Sequence, residues 1–388
     1  VFQRVIAALG TLALAGAGAA ACSSSSSTAK RPVAKPGQIV TVLSKDQVGA
    51  NGKGKPGTTY QYSDITVDRQ GTLYVANANE GLIVKATRDG RVTTLPPKGE
   101  HFPLGPAAPA ITRHALADVL NNPQGVVTDA KGELYIADTF NDRVRAITRD
   151  GRLLNVAGTG VEGPPVVQPP GFGPPAIISG PAMAVRLHGP GTLVFDDAEN
   201  LYINNFGGQL LKLGRDGIVT TVAGTGDVLV PGEPVELGDG GPAIKARFRG
   251  LSGVAVDHAG VIYVADGNRV RRIGTDGVIQ TIAGAADAGF AGDGGPATSA
   301  RFDGVGDIVF DRTGALFVAD EHNYRIRRIG PDGTVSTVAG TGQNANTGDG
   351  GAAVHASLGQ PWALAIDDTG NLYVSVGDSV RMIGAPAP

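Results

Sequence analysis

From about residue 37 onward the chain is patterned in short alternating apolar and polar runs, and one template recurs. An apolar, β-branched run ends in Asp and a tight polar turn, as in Gly253–Val256 followed by Asp257-His258-Ala259-Gly260. A Leu-Tyr-Val-Ala-Asp type run follows, then a loop, then an alternating run such as Arg269-Val270-Arg271-Arg272-Ile273. An Asp-Gly pair (Asp89-Gly90, Asp150-Gly151, Asp216-Gly217, Asp276-Gly277, Asp332-Gly333) leads into a last run of the Val-Thr-Thr-Val-Ala-Gly type. Period-two alternation bounded by such turns predicts β-strands joined as hairpins. No segment keeps a 3.6-residue period beyond a turn or two, and Gly recurs too often for helices.

The template spans residues 64–95, 125–160, 192–226, 253–284 and 307–340, and a sixth copy, 363–384, stops before its fourth run. Its aromatic position falls at Tyr74, Tyr135, Tyr202, Tyr263, Phe317 and Tyr373, at intervals of 54 to 67 residues, so the connections vary in length. Self-similarity of this kind signals a repeat architecture. Four short antiparallel strands per repeat, arranged radially, describe propeller blades. The missing strand has an orphan counterpart in Gly37–Leu43, which resembles Gly333–Val338. We therefore expect Ile39–Leu43 to complete the sixth blade, because an open ring exposes two unpaired edges. The predicted fold is an all-β, six-bladed β-propeller of four-stranded antiparallel blades over residues 37–384, with 385–388 as a tail.

Composition agrees. Gly, at 59 of 388 residues, is about twice its ordinary share and lacks the period of collagen. The hydrophobic share of 41% can fill a core, which argues against disorder. The net charge is −3 and no basic run of five appears, so nucleic acid and strongly anionic membrane surfaces are disfavoured partners. The first residues differ from the rest. Arg4 precedes the apolar run Val5–Ala20, which ends at Ala19-Ala20-Ala21-Cys22. That layout predicts a signal peptide over 1–21. Cys22 is the sole cysteine and is followed by Ser23–Ser27. Here the chain resembles bacterial lipoproteins, which implies cleavage before Cys22 and lipidation of it. Ala19 stands where that family usually carries a larger aliphatic residue, and an ordinary secretory signal is the alternative. Residues 22–36 read as anchor and flexible tether. The expected location is the outer face of the cell membrane, or the medium if Cys22 carries no lipid.

The pattern Pro-x-Gly-(Val/Ile)-x-(Val/Thr)-Asp-x-x-Gly-x-(Leu/Ile)-Tyr-(Val/Ile)-Ala-Asp, ending in Asn-x-Arg-(Val/Ile)-(Arg/Lys), resembles the NHL repeat. It is clearest in Pro123–Ile147, Leu251–Ile273 and Val305–Ile329. The resemblance covers nearly all of 37–384 and implies the propeller. It does not select an activity, because NHL propellers serve as extracellular sensors, as protein- and RNA-binding platforms and, in a minority, as enzymes. The first, third and sixth repeats depart from the pattern, which weakens any shared ligand ring.

Strand order places the tight first-to-second and third-to-fourth turns on one side. The second-to-third loops and the long connections 96–121, 161–188, 227–249, 285–302 and 343–359 lie on the other, where long loops tend to carry function. Three connections contain Gly-Asp-Gly-Gly, with Asp239, Asp293 and Asp349, followed by Phe248, Phe302 and Leu358. Calcium or ligand binding is one reading. A glycine turn whose Asp caps main-chain amides is the preferred one, since one carboxylate per loop falls short of a calcium cage.

The Asp closing Leu-Tyr-Val-Ala-Asp changes together with the Arg opening the third strand: Asp138 with Arg143, Asp266 with Arg269, Asp320 with Arg325. Where the acid is lost so is the base, in Asn77 with Leu82, Asn204 with Gln209 and Val376 with Ser379. Coupling of this kind predicts structural ion pairs. On the innermost strands, Gly125 and Gly253 are replaced by Asp64, Thr192, Asp307 and Ala363. Asp64, Asp307 and the sole tryptophan, Trp362, are expected to meet at the channel mouth as a ligand site. The alternative is that both carboxylates bond neighbouring main chain.

No nucleophile elbow, zinc helix or phosphate loop is present. The six histidines, His101, His114, His188, His258, His322 and His355, share no template position, so no zinc ring is indicated. The expectation is a surface-anchored binding or sensing module for a protein, peptide or glycan, touching the membrane only through its lipid and carrying no resident cofactor. A lactonase- or lyase-type propeller enzyme, with an axial metal near Asp64, Asp307, Gln124 and Ser252, is the alternative.

Overall fold

The computed structural model describes residues 30–50, 62–96, 119–161, 178–227 and 237–385. The signal segment 1–21 and Cys22 lie outside them. Six antiparallel sheets stand around one axis. Blade 1 runs Tyr62–Val67, Leu73–Asn77, Leu82–Ala86 and Val92–Leu95. Blade 2 runs Pro123–Thr128, Leu134–Asp138, Arg143–Ile147 and Leu153–Ala157. Blade 3 comprises Pro190–Phe195, Leu201–Asn205, Gln209–Leu213 and Ile218–Ala223. Blade 4 comprises Leu251–Val256, Ile262–Asp266, Arg269–Ile273 and Ile279–Gly284, and blade 5 Val305–Phe310, Leu316–Asp320, Arg325–Ile329 and Val335–Ala339. Blade 6 takes Pro361–Ile366, Leu372–Val376 and Ser379–Ile383 from the C-terminal end, and its outer strand is Ile39–Ser44. That strand pairs antiparallel with its neighbour, Ile39 opposite Ile383 and Thr41 opposite Arg381. The expected closure is observed. Each inner strand packs against those of both neighbouring blades, including blade 1 against blade 6.

Second strands such as Leu73–Asn77 and Leu316–Asp320 are buried at every position, because both faces of a blade are covered by its neighbours. Leu364, Leu372 and Val374 of blade 6 share one core with Phe317, Ala319 and Ile326 of blade 5. Phe248, Phe302 and Leu358, the residues after the glycine turns, are buried in three such inter-blade cores.

The connections also cover the outer edges. Gly240 N–H donates to Ile279 O at 2.8 Å and Ile279 N–H to Gly241 O at 3.1 Å; Gly294 and Gly295 treat Val335 likewise, and Gly350 and Gly351 treat Ile39. Blade 3 goes further, since Ser179–Pro181 adds a fifth strand beside Ile218–Ala223. Each contact removes an exposed row of main-chain groups that invites edge-to-edge association.

The segment read as tether is docked from Arg31 onward. Arg31 is only 9% exposed and Ala34 only 8%. Pro36 bridges Gly384 beside the seam between blades 6 and 1. The packed domain thus begins about six residues before the sequence boundary at 37.

Candidate functional site at the channel mouth

Every inner strand carries a register irregularity near its start, for example between Tyr62 and Asp64 and between Val305 and Ile308. Such bulges re-aim side chains at sheet edges. Here the irregularities set Ser63, Gln124, Gly191, Ser252, Gly306 and Trp362 around the loop-side mouth, with the Asp64 and Asp307 positions one step deeper. Ser63 Oγ donates to Pro123 O at 2.8 Å and Ser252 Oγ to Val305 O at 2.7 Å, stitching adjacent blades.

Asp64 and Asp307 perform the same stitching with carboxylates. Asp64 accepts Ile65 N–H on Oδ1 and Val126 N–H of blade 2 on Oδ2, both at 2.8 Å. Asp307 accepts Ile308 N–H and Leu364 N–H of blade 6, again both at 2.8 Å. Their positions in alternate blades flank blade 6. Gly253 is what lets Asp307 fit: a Cβ there would lie 2.5 Å from Asp307 Oδ1. The two carboxyls sense each other. Burial, then the charge of Asp307, pushes Asp64 well above the ordinary carboxylate range, and burial pushes Asp307 to about 7 against its amide donors.

A carboxyl whose folded-state pKa is raised contributes stability that is full below the unfolded value near 4 and is lost as pH rises through the folded value. The protein's urea midpoint is therefore expected to fall between pH 5 and pH 8, by on the order of 1–3 kcal/mol in stability from this pair. Asp307→Asn should flatten that slope. Equal slopes in both proteins would mean that the four amide donors keep the pair ionised throughout.

Trp362 stands apart from the two carboxylates. It is 37% exposed on the loop side, while Asp64 and Asp307 lie deeper. The sequence-expected trio thus occupies one channel but two levels. The bulge explains the split, because Trp362 and Ala363 leave the strand in different directions and Ala363, not Trp362, is equivalent to Asp64. Phe140 and Phe206, 65% and 70% exposed in the second-to-third loops of blades 2 and 3, face the same side. Phe206 packs near His188, with ring centroids 6.1 Å apart. Beside Trp362, Glu321 Oε1 accepts Gln360 Nε2–H at 2.5 Å, and Oε2 lies close to Gly306 at the rim. Burial raises the Glu321 carboxyl above its usual range. Sequence patterning missed Phe140, Phe206 and Glu321, since each sits at a variable position of the second-to-third loop, where the template specifies no residue.

The ion pairs form one turn of the pleat away from their expected partners. Asp138, Asp266 and Asp320 lie directly opposite Arg143, Arg269 and Arg325 in register. Their salt bridges nevertheless go to Arg145, Arg271 and Arg327, at 3.2, 3.2 and 3.3 Å. Residues two apart share a strand face, and the inner of the two arginines reaches the buried carboxylate. The outer ones turn to the rim, where Arg143 donates to Thr159 O and Arg325 to Thr341 O. The other oxygen of each Asp caps the incoming connection, through Asn121, Arg249 and Gly250, and Asp303 N–H groups.

The glycine-turn aspartates complete this network. Asp239, Asp293 and Asp349 bind Arg271, Arg327 and Arg381 at 2.7, 2.7 and 2.6 Å. Asp239 also caps Thr281 N–H and Asp349 caps Thr41 N–H. Burial works against ionising Asp239 and Asp349, but the threonine and arginine bonds outweigh it and hold both below the usual carboxylate range. These carboxylates are engaged by arginine, main-chain amide and threonine hydroxyl groups. Among the described residues, no three or more His, Cys, Asp or Glu side chains converge as a metal would require.

Comparison with known proteins bears on the repeats. The Teneurin NHL domain family matches residues 214–289. Teneurin-4 of Homo sapiens is 31% identical over 182 residues, 42% of this chain and 6% of that protein. The chain therefore spans a small fraction of the curated relatives it matches. An auxiliary nutrient binding protein from Bacteroides ovatus superposes with a TM-score of 0.54 at 13% identity, covering 89% of this chain and 75% of the other. A gluconolactonase from Xanthomonas campestris gives 0.51 at 13% identity, covering 85% and 87%. At such identities the likeness speaks to fold alone. Sheet topology makes this chain a six-bladed β-propeller, and the repeat pattern and the partial teneurin match support repeats of the NHL type.

Proposed function

We propose that the protein is an extracytoplasmic binding module, held at the outer face of the membrane through Cys22, that takes a protein, peptide or glycan at the loop-side channel mouth. One observation carries the reading: Trp362, Phe140 and Phe206 are exposed on the loop side, the side that also carries polar Ser63, Gln124 and Gln360. Aromatic rings presented beside neutral hydrogen-bonding groups are what binding surfaces for such ligands use, and buried anchors of this type dominate their energetics. The fold likeness to a nutrient binding protein and the teneurin match are compatible with it. Among the described residues no helix is long and apolar enough to cross a membrane.

The test is a screen of the purified protein against peptide and glycan arrays. Trp362→Ala is expected to weaken the strongest interaction at least about tenfold, as a hot-spot truncation does, without changing the melting temperature. Arg215→Ala on the turn side should leave binding intact. Equal binding by Trp362→Ala and the parent would remove the mouth from the reading. The enzymatic alternative makes a different forecast: calcium or zinc would raise the melting temperature, and Asp64→Ala would cancel the rise.

A further inference from the structure

Arg31 is clamped to the propeller by groups that all belong to the turn side. Arg31 Nη2 donates to Gly71 O at 2.8 Å, within the first-to-second turn of blade 1, and to Tyr373 Oη at 3.2 Å. Tyr373 in turn donates to Asp367 Oδ2 at 3.1 Å, at the first-to-second turn of blade 6. Arg31 N–H reaches Arg88 O, Nη1 reaches Ala86 O, both at 3.4 Å, and the guanidinium lies 5.4 Å from the Tyr373 ring centre. A side chain 9% exposed that bridges two blades is far more constrained than a solvated linker residue.

We propose that Arg31 is an orienting latch. It fixes the leader at the seam of blades 1 and 6, so that an anchor at Cys22 holds the turn side toward the bilayer and presents Trp362 outward. The proposal rests on the anchored-module reading. Cys22 and Arg31 are nine residues apart, a span of at most about 30 Å when fully extended and about 17 Å as a coil. A leader free up to Gly37 would reach about 50 Å, enough to let the propeller roll over. The turn side itself offers the bilayer little: its exposed charges are of both signs, as in the Arg312–Asp368 and Arg152–Asp150 pairs. Orientation therefore comes from the attachment point rather than from affinity of this side for lipid.

The test uses the full lipidated chain in phosphatidylcholine vesicles that contain an acceptor-dye lipid. Cys22 carries the lipid, so a donor dye can be placed on Thr275→Cys, in an exposed turn, or on Asp287→Cys, in the exposed connection on the opposite side. Energy transfer from position 275 should exceed that from 287 about twofold or more, given the short reach of the leader. Adding Arg31→Ala should bring the two values together. Equal transfer from both positions on a chain that floats with the vesicles overturns the latch alone. An asymmetry that survives Arg31→Ala overturns the role of Arg31. A chain that never floats with the vesicles overturns the anchored reading, and the orientation with it.

Discussion

A chain beginning at Lys45 should fail to fold, whereas one beginning at Lys30 should melt with the full-length protein. The shorter chain loses the outer strand of blade 6. Ile39, Val42 and Leu43 are at most 2% exposed there, and burying three such side chains contributes roughly 5–8 kcal/mol. Further losses follow. Ile39 exchanges main-chain bonds with Gly350 and Gly351, and Thr41 N–H caps Asp349. Without the strand, Ser379–Ile383 becomes a naked edge. The total rivals the whole stability of a domain, about 5–15 kcal/mol. Ile39 lies opposite Ile383 as Ile279 lies opposite Ile273 in blade 4. Moving residues 37–44 behind Gly384 through a two-residue linker therefore rebuilds the hairpin found in the other blades. That rearranged chain should recover cooperative unfolding, read by circular dichroism in urea. If the Lys45 chain melts like the parent, the seam does not hold the ring.

How much of this was legible depended on whether a feature repeats. Strands, turns and the borrowed sixth-blade edge follow from alternation and Asp-Gly pairs, because period two and turn chemistry are local. The acid–base coupling was legible too, but its partner was misassigned. In blades 2, 4 and 5 arginine stands at both the first and third positions of the third strand, so covariation there cannot separate Arg143 from Arg145. Blade 6 tips the pattern toward the wrong arginine. Arg381 keeps the third position without an acid at Val376, and it binds Asp349 instead. The strand Ser179–Pro181 and the docking of Arg31 left no trace in the pattern. The first uses main-chain bonds and the second a single guanidinium, and neither carries an apolar period to read.

Arg327→Leu is expected to cost about 3–5 kcal/mol, the range for stripping one partner from buried ionic groups, and Arg325→Ala about 1 kcal/mol or less, as for groups at the rim. Arg327 is wholly buried. Its Nη1 donates to Asp320 Oδ2 at 3.3 Å and to Arg301 O at 3.4 Å, and its Nη2 to Asp293 Oδ1 at 2.7 Å and Ala291 O at 3.2 Å. One guanidinium thus joins the second strand of blade 5 to the connection from blade 4 and to its glycine turn. Leucine fills part of the space but leaves Asp320, itself fully buried, facing no cation. Burial already lifts the Asp320 carboxyl to about 6, against Asp303 N–H, Asn323 and Arg327. Removing the cation raises it further, so the folded chain holds a proton that the unfolded chain releases at neutral pH. Stability from that proton is present below about pH 4 and lost as pH climbs past the raised value. The deficit of Arg327→Leu, measured by urea midpoint against the parent, should therefore be larger at pH 8 than at pH 5. Adding Asp320→Asn should recover part of it at pH 8, because an uncharged group needs no counter-ion. If Arg325→Ala proves as damaging as Arg327→Leu, the ion pair lies at the rim and the inner arginines merely fill space.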